Sequence, residues 1–319
     1  MFSVDQYNAA RSSAALIDRS SQGTVALTGA DRASFLHALL TNDIATLKQG
    51  QGVYAAYLTP QGRMISDMRV IETGSRVLLA VDRDVAAPLA ERLDKLIFSE
   101  DVHVRNASDM AVIGVHGPSS ARMIQHATGL SVADLAGPYD NITVESLTVV
   151  RDDGLGVPGY DLYVPAGERD AIRMKLVEAG AVETSEETAE TLRIEAGRPR
   201  FGTDMSTDTI PLEAGLEDRA ISFTKGCYVG QEVIVRVMHR GHGRVARRLV
   251  SIVITNDSVP ARGDTIVRGD RVVGEITSAT YSPKLGSPLA LGYVQREHAG
   301  VGTELIVGGS QARVYQAVN

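Results

Sequence analysis

Cys227 is the only cysteine in the chain, and it stands in an unusual stretch, Lys225-Gly226-Cys227-Tyr228-Val229-Gly230-Gln231-Glu232. A thiolate becomes reactive where positive potential and access coincide. Lys225 offers the first, and the open glycine backbone offers the second. A helix opening at Gly230-Gln231-Glu232 adds the favourable field of its N-terminus. The competing reading is a small buried hydrophobe, the commonest fate of a free cysteine. Two carboxylates form the second set. Asp67 closes the run Gly62-Arg63-Met64-Ile65-Ser66-Asp67, and Asp161 sits in Gly159-Tyr160-Asp161-Leu162-Tyr163. A carboxylate accepts two donors side by side, such as an amino group and the neighbouring ring N–H of a heterocycle. A second carboxylate beside a reacting amine orients it and stabilises developing positive charge. Taken singly, each aspartate also reads as a solvated or capping residue.

A basic run follows the cysteine segment: Arg236, His239, Arg240, His242, Arg244, Arg247 and Arg248, with no acid from Val233 to Val250. It suits an anionic ligand tail, an acidic protein or RNA phosphate, or else forms a solvated loop. His239 and His242 have metal-like spacing, but no local cysteine or carboxylate joins them, so no metal site is expected. Phosphate-binding loops, dinucleotide fingerprints and nucleophile elbows are absent.

The elements that must position these residues alternate between helix and strand, an α+β pattern. Strands are expected over 24–28, 53–58, 64–71, 76–82, 111–116 and 160–164, with a tight turn at 59–62. Helices are expected over 32–40 with Asp31 as N-cap, over 85–97 with Asp84 as cap, and over 119–128, 169–179 and 187–196. After about residue 245 the character changes. Short strands over 247–254, 265–267, 271–276, 289–294 and 304–307 predict a small β-barrel or sandwich. The 319 residues suffice for two or three domains, and 44% hydrophobic with 22% charged residues is an ordinary globular composition. A net charge of −7 argues against bulk nucleic-acid binding. One thiol, no apolar run of membrane-spanning length and no secretory signal together predict a cytoplasmic protein.

The octapeptide resembles the KGCYxGQE signature of the YgfZ family, folate-binding relatives of the glycine-cleavage T-protein. Leu40-Thr41-Asn42-Asp43-Ile44 is similar to the T-protein segment after its first helix, and Tyr54 to a tyrosine lining the folate site. Gly62 through Asp67 resembles a GGxxDD segment, with Asp67 on its catalytic second aspartate. Gly159-Tyr160-Asp161 resembles Gly-Phe-Glu, which places Asp161 on the pterin-binding carboxylate. Arg193-Ile194-Glu195-Ala196 resembles Arg-Leu-Glu-Ala, and Gly274-Glu275-Ile276-Thr277-Ser278 resembles a motif of the C-terminal barrel. The departures are Arg63 for glycine, Ser66 for the first aspartate, and Asp161 for glutamate.

The resemblance implies a T-protein-like clover-leaf of three domains. A folate-binding region would cover 1–239, its first subdomain discontinuous (about 1–50 plus 111–239) around an insert at about 51–110, followed by a barrel over 240–319. It implies tetrahydrofolate as cofactor, with Asp161, Asp67, Tyr54, Tyr160, Arg193 and Tyr228 as binding residues and Cys227, Asp67 and Lys225 as catalytic ones. The expected function is assistance in assembling or repairing iron–sulfur clusters in client enzymes, including tRNA-modifying ones, reached through the Cys227 region and the basic run 236–248. The alternatives are an aminomethyltransferase of the glycine-cleavage type and a non-catalytic module holding RNA or an acidic protein. Loss of the paired aspartate argues against aminomethyl transfer.

Overall fold

The computed structural model describes residues 2–239, 241 and 243–318. Three sheets organise it. In the first, Ala15–Asp18 and Gly159–Pro165 flank Met110–His116 on either side, both antiparallel to it. Leu147–Arg151 and Asn141–Val144 extend one edge, and Val182–Thr184 joins the other edge in parallel. Strand residues alternate between faces. One face carries Leu16, Ile113, Val115, Tyr160, Leu162 and Val164 into a core shared with Met123 and Ile124 of the helix Ser120–Thr128 and Leu176 of the helix Arg169–Glu178. The opposite face is left for the polar residues between them, including His116 and Asp161.

The second sheet runs in the order Gln51–Leu58, Met64–Glu72, Val77–Asp82, Gln22–Thr28, His103–Asn106. Met64–Glu72 shows the same sorting. Met64, Ser66, Met68 and Val70 are buried, whereas Ile65, Asp67 and Arg69 are only partly so. The third sheet is a closed six-stranded barrel built from Arg247–Ile254, Ser287–Gln295, Arg271–Ser282, Thr265–Arg268, Glu304–Val307 and Ser310–Ala317. Its interior is aliphatic, with Ile252, Ile266, Ile276, Ala290 and Val294 at 1% exposure or less. The final strand Ser310–Ala317, absent from the strands expected from sequence, closes the cylinder by pairing with both Arg247–Ile254 and Glu304–Val307.

The chain divides into two compact units: Met1–Tyr57, Ser66–Ala189 and Ser222–Tyr228 form one, and Leu58–Ile65, Glu190–Ile221 and Val229–Asn319 the other. Two helix starts differ from expectation. The helix Arg83–Asp94 is capped by Asp82, whose carboxylate accepts from the Asp84 N–H at 3.2 Å, so Asp84 lies inside the first turn. Asp31 precedes the helix Arg32–Leu39 but does not cap it with its side chain; its carboxylate accepts from the Asp101 N–H at 2.9 Å. The helix Val4–Ser12, headed by Ser3, has no apolar stripe that would reveal it in the sequence.

Candidate active site

The segment Leu40–Ile44 joins three parts of the first unit. Thr41 exchanges hydrogen bonds with Ala56, its N–H donating to the Ala56 carbonyl at 3.0 Å and its Oγ1 accepting from the Ala56 N–H at 2.8 Å. Asn42 Nδ2 donates to the Tyr54 carbonyl at 2.9 Å, and the Ser222 N–H donates to the Thr41 carbonyl at 3.0 Å. Tyr54 and the segment 222–228 are thus anchored to one junction. From its strand, Tyr54 donates its hydroxyl to Asp67 Oδ2 at 2.5 Å, the length of a charge-assisted bond. Ser66, the neighbour that replaces an aspartate, points the other way into the core at 1% exposure and bonds its own strand at the Asp67 carbonyl. An acid there would be buried away from Asp67, so its loss leaves the Asp67 side of the strand unchanged.

Arg69 follows Asp67 on the same face and pairs with Asp152 at 2.9 Å. Its guanidinium also lies in the electrostatic field of Asp161 and Tyr163. The second sheet is thereby tied to the polar face of the first. There Asp161 is 1% exposed. Arg19 Nε donates to Asp161 Oδ1 at 3.2 Å, and His116 Nε2 lies 3.3 Å from the same oxygen. Burial alone would push this carboxyl upward; Arg19, with help from His116 and Arg69, more than offsets it and holds it well below the ordinary carboxylate range. Asp161 Oδ2 is buried with no hydrogen-bond partner. Tyr163 shares this face, two residues on, and burial pushes its phenol far above the ordinary value.

The other sequence-derived residues fall elsewhere. Tyr160, adjacent to Asp161, points to the opposite face and packs in the helix-covered core, its hydroxyl 3.4 Å from the Val132 carbonyl. Lys225 Nζ donates to the carbonyls of His37 at 2.5 Å, Leu40 at 2.6 Å and Asn42 at 3.0 Å. It therefore closes the C-terminal end of the helix Arg32–Leu39, where carbonyls lack helical partners. Burial lowers its ammonium to about 8. The same Nζ sits 5.1 Å from the centre of the Tyr228 ring, and burial pushes that phenol up to about 12. Cys227 is exposed. In the second unit, Arg193 has all five N–H groups engaged, by both Glu190 oxygens, Asp204 Oδ2, the Arg198 carbonyl and Ser278 Oγ. It ties the helix Glu186–Glu195 to the barrel and has no N–H left over.

Of the basic run, Arg240 and His242 lie outside the described residues. Arg247 pairs with Glu213 at 3.2 Å and Arg248 with Glu217 at 3.3 Å, which withdraws two of its charges from any anionic partner. Among the described residues no group of three or more His, Cys, Asp or Glu is placed to hold a metal ion. No described helix is long and apolar enough to cross a membrane.

Sequence reasoning missed Arg19, His116, Arg69 and Asp152. A signal existed for one of them. Once Met64–Glu72 is read as strand, two-residue alternation puts Arg69 on the face of Asp67, and the same alternation along Gly159–Pro165 excludes Tyr160 from the face of Asp161. The pairing that brings Arg19 and His116 to Asp161 is non-local and leaves no mark in the sequence.

A model described as the GCVT N-terminal domain matches residues 2–225, and one described as the glycine cleavage T-protein C-terminal barrel domain matches residues 247–318. The aminomethyltransferase of Streptomyces avermitilis is 31% identical over 309 residues, 94% of this chain and 83% of that protein. The aminomethyltransferase of Bacillus subtilis is 27% identical over 315 residues, 93% and 84% of the two chains. The structure of glycine cleavage system aminomethyltransferase T from Bartonella henselae superposes with a TM-score of 0.91 over 98% of this chain and 88% of that one, at 23% identity, and shows the shared T-protein fold. These relatives correct the expectation drawn from the octapeptide. Assistance to iron–sulfur enzymes and to tRNA modification is overturned by the aminomethyltransferases matched over nearly the whole chain. They do not carry the finer YgfZ placement.

Proposed function

The chain belongs to the glycine-cleavage T-protein family, and from that premise we propose that it is a tetrahydrofolate-dependent aminomethyltransferase. The observation that carries this reading is the pair of carboxylates held in different states of engagement: Asp67 gripped by the Tyr54 hydroxyl at 2.5 Å, and Asp161 buried with one oxygen bonded and one unmatched. Arg69 links the two sheets that bear them.

Tetrahydrofolate, when bound, supplies two nitrogens that take up a one-carbon unit. Asp161 suits the pterin end. Its free Oδ2 and its ionised state suit it to accept an N–H donor of the heterocycle, and its carboxylate is held by His116 of the adjacent strand and by Arg19, which follows the strand Ala15–Asp18. Asp67 suits the reacting end. Its carboxylate orients an amine and counters positive charge on the carbon being transferred. Tyr54 holds the Asp67 carboxylate through its hydroxyl. Lys225 and Arg193 serve as framework residues in this reading, and Cys227 has no step.

The test is turnover with an aminomethylated lipoyl carrier protein and tetrahydrofolate. Ammonia and methylenetetrahydrofolate are expected in equal amounts. No turnover, with tetrahydrofolate still bound, overturns the proposal.

A further inference from the structure

Asp161 does not stand alone on its sheet face. The register places Gly114 beside Asp161 on one strand pair and Gly159 beside His116 on the same pair. Both glycines leave room for what lies over them, and Gly159 is required there. A Cβ on Gly159 would meet His116 Nδ1 at 2.0 Å, and a Cβ on Gly114 would meet Arg19 Nε and His116 Nε2, each at 3.0 Å. The imidazole and guanidinium therefore lie close against bare backbone. Arg19 Nη2 and His116 Nε2 are 2.9 Å apart, and Arg19 Nε and His116 Nε2 both reach Asp161 Oδ1. The three side chains close a triangle with His116 0% and Asp161 1% exposed. One ring nitrogen serves Arg19 or Asp161 at a time, so in either tautomer the imidazole braces one of the other two corners. Both contacts to Asp161 fall on Oδ1, and Oδ2 receives no hydrogen bond.

We infer that Arg19 and His116 are positioning residues that fix the rotamer of Asp161, so that Oδ2 alone is offered to the donor edge of the ligand heterocycle. This rests on the reading of Asp161 as the pterin-end carboxylate. The triangle occupies one oxygen and fixes the plane of the carboxyl group. The other oxygen is then a single, directed acceptor, which makes the site selective for a ring bearing an exocyclic amino group. A freely turning carboxylate would bind such a ring too, but would lose rotational freedom on doing so.

The experiment is calorimetric titration with tetrahydrofolate and with its 2-deamino analogue, on the full chain and on Asp161→Ala, Arg19→Met and His116→Leu. The unaltered chain is expected to favour tetrahydrofolate by roughly tenfold or more, the value of a hydrogen bond to a charged group. Arg19→Met and His116→Leu are each expected to lose most of that preference while binding the analogue within about threefold of the unaltered chain. If Asp161→Ala binds both ligands as the unaltered chain does, the pterin-end reading of Asp161 fails. If Asp161→Ala loses the preference but Arg19→Met and His116→Leu keep it, only the positioning role fails. An equal loss for both ligands assigns a merely structural role and also overturns it. Should Arg19→Met not fold, Arg19→Lys carries the test. It keeps the charge but presents one ammonium where the guanidinium reached two partners, and undiminished preference in that variant overturns the inference.

Discussion

At the scale of single residues, two aspartates of the same chemistry are given different work by their neighbours. Asp67 meets a phenol donor on a partly exposed strand face; Asp161 meets a guanidinium and an imidazole in the interior. Asp67→Asn is expected to lower kcat by about a hundredfold or more, because the negative charge beside the transferred carbon is lost, while the dissociation constant for tetrahydrofolate changes only a few-fold. Steady-state kinetics paired with titration separate the two. Cys227→Ser is expected to leave turnover unchanged, and a large loss would return the thiol to the mechanism. Asp161 also shapes the acid limb of stability. Its carboxyl is held below the ordinary value of 3.8, so the unfolded chain takes up protons before the folded one as pH falls. Its contribution is therefore full above about pH 4 and is lost progressively below it. The difference in unfolding free energy between the unaltered chain and Asp161→Asn is expected to narrow from pH 5 to pH 3 in denaturant titrations. Both aspartates were legible in the sequence as residue types in a spacing. Their partners were not, because Arg19 and His116 reach Asp161 from separations of 142 and 45 residues.

Elements decide which side of a strand each residue faces, and this is where the sequence reading and the molecule part. Tyr160 was expected against the ligand beside Asp161, but consecutive strand residues face opposite ways, and Tyr160 lies in the core. The same rule removes the difficulty over Ser66, which sits on the buried face while Asp67 does not. Lys225, expected to activate the thiol, instead closes a helix end. Lys225→Met is expected to destabilise the fold by about 1–3 kcal/mol, since several carbonyls lose a charged donor, with little change in turnover per folded molecule. Gly159→Ala tests the sheet face directly. Its Cβ would meet His116 Nδ1 at 2.0 Å, so a loss of about 1–3 kcal/mol in stability is expected, and tetrahydrofolate affinity should fall with it. Barrel strands were legible from short apolar runs between turn residues. The helix Val4–Ser12 was not, since its buried residues are Tyr7, Ala9 and Ala10 among polar neighbours.

The whole molecule has a T-protein fold, and its chain spans most of the length of its aminomethyltransferase relatives. A bound ligand stabilises the folded state by mass action, by about 2.7 kcal/mol at a hundred times its dissociation constant. Tetrahydrofolate should therefore raise the unfolding midpoint of the unaltered chain and raise that of Asp161→Ala much less at equal concentration. The first unit also holds a cavity of about 350 Å³ lined by Leu16, Asp18, Arg169, Asp170, Arg173 and Glu183, with none of the three triangle residues in its wall. It is the natural competitor as a ligand site. Its two arginines are already paired, Arg169 with Asp18 and Arg173 with Glu183, whereas Asp161 Oδ2 is a buried acceptor with no hydrogen-bond partner. A structure of the complex with tetrahydrofolate decides between them. The pterin amino group is expected within hydrogen-bonding distance of Asp161 Oδ2, with the reactive nitrogens turned toward Asp67. A ligand seated in the Arg169–Arg173 cavity, or one that leaves Asp161 untouched, would contradict that expectation.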